Sequence, residues 1–232
     1  MRRLFLSLCA VAIVSAFLAT SPAVAQQSLN LYLGGFVPSA EDARGKDDVL
    51  FQNGNFLSFN IKDFDGVTAG GEWLVGLGNN FDAGLGIGIY SRTVPSVYTS
   101  LVNQDDSEIE QNLKLRIVPF TATFRMLPFG RDRGIQPYVG VGVGIYAWRY
   151  SEAGQFVDLA DNSVFRDTFV GSGASVGPVV LGGVRFPLGS VGVGGEIRYQ
   201  GGTGNLPAGE GFAGSKIDLG GFNYLFVLNI KF

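Results

Sequence analysis

Hydrophobic and polar residues alternate along most of the chain, in segments of about ten residues. Within a segment, every second residue is aliphatic or aromatic, and the residues between are glycine, polar or charged. A period of two indicates β-strands with one apolar face. The pattern predicts eight strands: residues 29–37, 64–76, 81–93, 112–126, 137–150, 175–186, 191–201 and 218–232.

The connections between these predicted strands alternate in length. The short ones are residues 77–80, 127–136 and 187–190. The long ones are residues 38–63, 95–111, 151–174 and 202–217. Membrane barrels have this asymmetry, with short turns at one end and long loops at the other, whereas a soluble β-sandwich has no reason to sort its loops. The sequence therefore predicts an all-β chain, folded as an eight-stranded antiparallel up-and-down transmembrane β-barrel.

The two faces of the fifth predicted strand agree with a barrel in lipid. Aliphatic residues occupy every second position from Val139 to Ile145, and glycines fill the positions between them, from Gly140 to Gly144. In a lipid-facing barrel the aliphatic face points outward, and the glycine and charged positions line the lumen. An eight-stranded lumen is just wide enough to be filled by side chains, so the glycines make room for larger residues on other strands.

The fourth predicted strand changes its pattern at Pro119. Before this proline the apolar residues have odd numbers, and after it, from Phe120 to Met126, they have even numbers. A bulge shifts the register by one residue, and proline in a strand is most easily placed at a bulge. We therefore expect a bulge near Val118–Pro119, which turns Lys114 and Arg116 toward the lumen.

Charged residues on the predicted inner face are expected to pair across strands, because isolated buried charges are costly. Glu72 and Glu196 are the natural centres of such a cluster. The predicted lumen charge cluster comprises Glu72, Lys114, Arg116, Arg125, Arg185, Glu196 and Arg198. A structural plug of ion pairs is the favoured interpretation, and a polar conduit is the alternative.

Residues 1–25 have the features of a cleavable signal peptide. Arg2 and Arg3 precede an apolar stretch at residues 4–18, and Ala23 and Ala25 supply the small residues of a cleavage site. We expect cleavage after Ala25, which leaves residues 26–232 as the barrel domain. Beyond residue 25 no apolar run reaches the roughly 20 residues of a spanning helix, and a closed barrel is the other way to satisfy the backbone in lipid.

Composition argues against catalysis and against nucleic-acid binding. The chain has no histidine, which excludes a Ser-His-acid arrangement and histidine metal ligands. Its one cysteine, Cys9, lies in the predicted signal peptide, and the formal net charge is −3 without a basic tract. The acidic loops lack the spacing of an EF-hand. We expect no catalytic, cofactor or metal site and no nucleic-acid partner.

The last predicted strand alternates strictly and carries aromatic residues on its apolar face. This face contains Tyr224, Phe226, Leu228, Ile230 and Phe232. A closing strand with alternating aromatics and a last Phe resembles the recognition signal for the barrel-assembly machinery. With the runs at residues 137–144 and 195–199, it makes the chain resemble the small outer-membrane β-barrel superfamily, which includes the OmpA-like transmembrane domain and the OmpW-like proteins.

This resemblance implies a place in the outer membrane of a Gram-negative-type bacterium. The implied partners are outer-membrane lipid and, during biogenesis, the assembly machinery; we expect a monomer, and the partner of the loops stays open. The favoured function is a structural or surface-interaction role with a side-chain-filled lumen. One alternative is a passive channel or transporter for small molecules, hydrophobic ones in the OmpW-like case. A lipid-modifying enzyme is disfavoured because histidine is absent.

Overall fold

Eight long antiparallel strands form a closed ring in the computed structural model, which describes residues 26–158 and 161–232. The predicted signal peptide lies outside the described residues. The strands of the ring are β1 (Gln27–Pro38), β3 (Gly66–Leu77), β4 (Phe81–Val102), β5 (Glu108–Met126), β6 (Gln136–Val157), β7 (Val164–Leu188), β8 (Val191–Gln200) and β11 (Gly221–Lys231). They follow one another around the ring in this order, and β11 pairs with β1.

Shorter elements lie in the connections. They are one α-helix, α1 (Val49–Asn53), the 3-10 turns Glu41–Ala43 and Ile61–Phe64, and the strands β2 (Leu57–Ser58), β9 (Thr203–Asn205) and β10 (Lys216–Asp218). In the described part of the chain no helix is long and apolar enough to cross a membrane. The predicted fold class, an all-β up-and-down barrel of eight strands, is confirmed.

The barrel closes where the first and last strands pair. β1 and β11 are antiparallel neighbours, with Leu29 opposite Ile230 and Pro38 opposite Gly221. On its other side β1 pairs with β3, so both of its edges are hydrogen-bonded. Closure leaves no free edge in the ring, which a sheet in lipid requires because no water is there to satisfy unpaired backbone groups.

Four neighbouring strands are about twice as long as the other four. β4 to β7 have 22, 19, 22 and 25 residues, whereas β1, β3, β8 and β11 have 10 to 12. A tilted strand crosses a bilayer with about 9–11 residues, so β4 to β7 continue well beyond it. The prediction of long loops at residues 95–111 and 151–174 is wrong, because most of these residues belong to two paired hairpins.

The predicted bulge at Pro119 is also wrong. Residues 117–120 pair with β6 in one continuous register. Odd-numbered residues of β5 face inward on both sides of the proline, as buried Leu115 and Thr123 demonstrate. The alternation therefore never changes phase. What changes at Pro119 is the chemistry of the two faces.

This change divides the barrel into two parts. In the membrane part, outward positions are apolar; they include Val141 on β6 and Phe124 on β5, which are 60% and 46% exposed. The extramembrane part is formed by the halves of β4 to β7 that lie away from the short turns, and by the connections at that end, which we call the upper end. Here outward positions are polar and the interior is apolar. Its core contains Val49, Leu50, Leu57, Phe64, Val94, Leu113, Leu115, Ile117, Trp148, Tyr150, Ile217 and Leu219.

The connection between β1 and β3 folds back over the mouth of the barrel. α1 begins after Asp48, whose side chain accepts hydrogen bonds from the backbone N–H groups of Leu50 and Phe51. Arg44 forms a buried ion pair with Asp48 at 3.0 Å, and the backbone N–H of Asp218 donates to the same carboxylate. These contacts fix α1 so that Asn53 points into the interior, where it is fully buried.

Candidate functional site

Four charged side chains meet in the lumen of the membrane part: Glu72 of β3, Arg125 of β5, and Glu196 and Arg198 of β8. Arg125 forms ion pairs with Glu72 and, at 3.1 Å, with Glu196. Arg198 Nη2 lies 3.0 Å from Glu72 Oε2 and 2.7 Å from Glu196 Oε1. All four residues are at most 5% exposed. Two carboxylates and two guanidinium groups thus balance each other without solvent.

Neutral side chains surround this lumen charge cluster. Thr123 donates a hydrogen bond to Glu72, and the Tyr138 hydroxyl donates one to Glu196 at 3.0 Å. The guanidinium of Arg125 lies over the Tyr138 ring, 5.0 Å from its centre. Cation–π contacts of this kind add to the ion pairs when both partners are desolvated. The cluster is therefore packed on all sides rather than suspended in a channel.

Glycines on the neighbouring strands make room for the cluster, as the alternation suggested. A Cβ at Gly84 would lie 2.6 Å from a Glu72 carboxylate oxygen, and one at Gly140 would lie 3.0 Å from Arg125 Cγ. Both distances are shorter than ordinary van der Waals contacts. The repeated glycines of β4 and β6 thus have a packing role beside Glu72 and Arg125.

Arg185 belongs to a second ionic group, nearer the short turns. It lies 3.3 Å from Asp82, whose other oxygen binds Arg131 at 2.6 Å. The Arg185 guanidinium also stacks on Tyr138, which links the two groups. The sequence reasoning missed Arg131 because this residue lies in a turn outside any alternating segment, where no phase can be assigned.

Lys114 and Arg116 do not belong to the lumen charge cluster. Both lie on the outward face of β5 in the extramembrane part and are exposed. Their assignment to the lumen depended on the bulge at Pro119, and without the bulge their side chains point to solvent. Arg116 is directly opposite Arg149 of β6.

Above the cluster, side chains fill the barrel almost completely. A cavity of about 10 Å³ remains beside Arg198, Thr121 and Tyr146. This volume holds at most one water molecule. Higher still, the apolar core of the extramembrane part occupies the cross-section, with Leu115 and Tyr150 at most 1% exposed.

A larger cavity of about 630 Å³ lies at the mouth, above this core. We call it the mouth cavity. Its lining includes Asn53, Asn55, Phe56, Tyr98, Ser100, Leu101, Gln111, Glu152, Phe156, Val157, Asp158, Phe165, Phe169, Gly211 and Ala213. The walls therefore come from the first long connection, the two hairpins and the connection before β11.

Glu152 is the buried acid of the mouth cavity, at 4% exposure. Its Oε1 accepts hydrogen bonds from Asn53 Nδ2 at 2.7 Å and from the Tyr150 hydroxyl at 2.9 Å. Burial raises the pKa of the Glu152 carboxyl, and the two hydrogen bonds oppose this rise. Sequence reasoning missed this residue because residues 151–174 were assigned to a loop; the alternation of Trp148, Tyr150 and Glu152 was the available signal.

The predicted assembly signal lies on the outward face of β11 and at Phe232, the residue after it. Tyr224, Phe226 and Phe232 are 52%, 60% and 72% exposed, and Leu228 and Ile230 are half-buried. The outward-facing apolar residues of the membrane part together form an apolar band around the ring, and this face of β11 continues it. Recognition by the assembly machinery stays a prediction.

The band, the closed ring and the filled lumen define a membrane-spanning β-barrel. Among solved structures, the chain is similar to the outer membrane protein OprG from Pseudomonas aeruginosa, with 14% identity, a TM-score of 0.52, and coverage of 90% of this chain and 96% of that one. For Neisserial surface protein A the values are 12%, 0.48, 89% and 97%. Neither protein-family models nor curated protein sequences give a match. The chain thus has the fold of the small bacterial outer-membrane barrels.

Proposed function

We propose that this protein is a closed, non-conducting barrel of the bacterial outer membrane with a structural or surface-interaction role. The membrane part anchors it in lipid, and the extramembrane part is presented to the surroundings of the cell. Outer-membrane lipid is its permanent partner, the assembly machinery is a partner during biogenesis, and the barrel acts as a monomer.

The filled interior is the observation that carries this proposal. The lumen charge cluster closes the membrane part, and the apolar core closes the extramembrane part above it. An ion would have to cross both layers, the first by breaking ion pairs around Glu72 and the second by entering an apolar medium. Either step is costly because charges lose their hydration.

The apolar band supports the location. Outward-facing Leu85 on β4 and Val141 on β6 are 64% and 60% exposed. Contact of such an apolar surface with water is unfavourable. Bacterial outer-membrane barrels have such a band, and OprG shares the fold. When the apolar band lies in the bilayer, the two long hairpins and α1 lie outside the membrane.

Planar-bilayer recordings on the purified barrel test the closed lumen. We expect no reproducible conductance from the native protein. Glu72→Ala breaks the lumen charge cluster and is expected to produce openings, whereas Arg116→Ala, on the outer surface, is the matched control and leaves the recordings unchanged. Steady conductance of the native protein would refute the proposal and favour the channel or transporter alternative.

We do not propose an enzymatic activity, because the chain has no histidine and a Ser-His-acid arrangement is therefore excluded. Turnover of outer-membrane lipid by the purified protein would contradict this, provided that a denatured sample is inactive.

A further inference from the structure

Two buried hydrogen-bond acceptors that line the mouth cavity have no donor among the described residues. Asn53 Oδ1 and Gln111 Oε1 are buried, and neither has a hydrogen-bond partner among the described residues. Both residues line the cavity together with Glu152. Because a buried acceptor without a donor is destabilising, these two oxygens beside the Glu152 carboxylate indicate a missing donor.

The orientation of the two amides follows from their other contacts. Asn53 Nδ2 donates to Glu152 Oε1 and to the Tyr150 hydroxyl, so a flipped amide would place its oxygen against a carboxylate oxygen. Gln111 Nε2 donates to the backbone carbonyl of Gln155 at 3.0 Å, and a flip there would also oppose two acceptors. The unpartnered atoms are therefore oxygens.

Glu152 differs from the acids of the lumen charge cluster in having no cationic partner. In the described ranges, no Lys or Arg forms an ion pair with it, and its hydrogen bonds from Asn53 and Tyr150 both end on Oε1. Glu72, by contrast, binds two arginines. A buried carboxylate without a counter-charge favours a cation from outside the chain.

The opposite wall of the mouth cavity is aromatic. The Phe156 ring lies 4.6 Å from the Phe169 ring and 5.8 Å from the Phe165 ring. Phe165 is 41% exposed and lies at the entrance of the cavity. Below the cavity the apolar core is closed, so a molecule that enters from outside has no path through the barrel.

We propose that the mouth cavity binds a small amphipathic amine, with its apolar body against the phenylalanines and its ammonium group at Glu152. An ammonium group has three N–H donors, which match Glu152, Asn53 Oδ1 and Gln111 Oε1. A divalent cation needs six or more oxygen ligands, and no group of three or more acidic side chains able to hold one is found among the described residues. The inference extends the proposed function, in that the surface interaction would be with such a molecule.

Calorimetry on the full barrel in lipid nanodiscs tests the proposal, with empty nanodiscs as the blank. The probes are tryptamine, the matched alcohol tryptophol and the matched acid indole-3-propionate. A hydrogen bond to a charged group contributes about 1.5–3 kcal/mol, so we expect tryptamine to bind at least about tenfold more tightly than tryptophol. Indole-3-propionate is expected to bind least.

Two variants locate the interaction. Glu152→Gln keeps the acceptor for Asn53 and Tyr150, and it is expected to remove the preference for the amine. Glu110→Gln, an exposed acid on the outer face of the neighbouring β4–β5 hairpin, is the matched control and keeps the preference. Phe165→Ala is expected to weaken tryptamine and tryptophol alike, because it removes apolar contact from both. Unchanged circular dichroism verifies that each variant is folded.

Equal binding of the three probes, no binding at millimolar concentration, or equal effects of Glu152→Gln and Glu110→Gln would overturn the proposal. The outcome is separable from that of the bilayer recordings. A barrel that conducts and still prefers tryptamine refutes the closed lumen alone, and a silent barrel that binds no probe refutes the amine site alone.

Discussion

The two halves of β5 have the same alternation and opposite chemistry. In the membrane part, Phe124 faces outward and Arg125 is completely buried in the lumen. In the extramembrane part, Lys114 faces outward and Leu115 is buried in the core. One continuous strand is thus built as a membrane barrel below Pro119 and as a water-soluble β-sheet above it.

The difference follows from the solvent on the outside of the strand. In lipid the outward face must be apolar, and the inner face is left for polar groups that satisfy each other. In water the outward face is polar, and the apolar face turns inward to form a core. The place where the two patterns meet therefore marks the membrane boundary on β5, and it does so without any change of backbone register.

The stability of the lumen charge cluster should depend on its charge balance. Glu72→Ala leaves two arginines facing the single carboxylate of Glu196. Removal of one partner from a buried ion pair costs about 3–5 kcal/mol, because an uncompensated charge remains. We expect a loss of this size in the free energy of unfolding, measured by denaturant titration of the protein in lipid vesicles.

The double variant Glu72→Ala/Arg198→Ala is the control for this prediction. It restores the balance of one acid and one base, Glu196 and Arg125. Its loss is expected to be smaller than the sum of the two single losses. Additive losses would mean that the four side chains do not act as one cluster.

The outer surfaces of the two parts should differ in their tolerance of charge. Val141→Arg puts a cation into lipid and is expected to cost about 2–4 kcal/mol. Asn112→Arg, at an outward position of the extramembrane part, is expected to stay within about 0.5 kcal/mol. Denaturant titration of both variants in lipid vesicles measures the difference. Equal losses would contradict the assignment of Val141 to lipid and Asn112 to water.

The sequence predicted the membrane part well and the extramembrane part poorly. The ring of eight strands and the outward face of β6 followed from alternation, because the rule that assigns apolar residues to the outside holds there. Applied above Pro119, the same rule demanded a bulge and placed Lys114 and Arg116 in the lumen. Periodicity reports which residues share a face, but it does not report which solvent that face meets.

The same limit hid the mouth cavity. Glu152 and Phe156 fall in a segment that was assigned to a loop, although their alternation with neighbouring aromatics continues the strand. Their meeting with Asn53 requires α1 to fold over the mouth, which depends on contacts between residues about a hundred positions apart. No local pattern in the sequence encodes such a contact.

The extramembrane part should respond to pH through Glu152. Since burial raises the pKa of this carboxyl, the folded state holds its proton more tightly than the unfolded state does. Stability from this group is therefore highest below the ordinary carboxyl pKa and falls as pH rises through the raised value. Glu152→Gln lacks this loss, so we expect its melting temperature to exceed that of the native protein more at about pH 8 than at about pH 4. A constant difference would contradict the prediction.

The smallest perturbation tests the inversion at Pro119 directly. Lys114→Cys changes an exposed residue and is expected to cost no more than about 0.5 kcal/mol. On intact cells a membrane-impermeant maleimide is expected to label this cysteine and to leave the cysteine of Leu115→Cys unlabelled, because Leu115 is buried in the core. Labelling after denaturation, equal for both variants, is the control. A bulge at Pro119 would turn Leu115 outward and Lys114 inward. Labelling of Leu115→Cys without labelling of Lys114→Cys would therefore support the bulge and show that apolar residues face outward along the whole of β5.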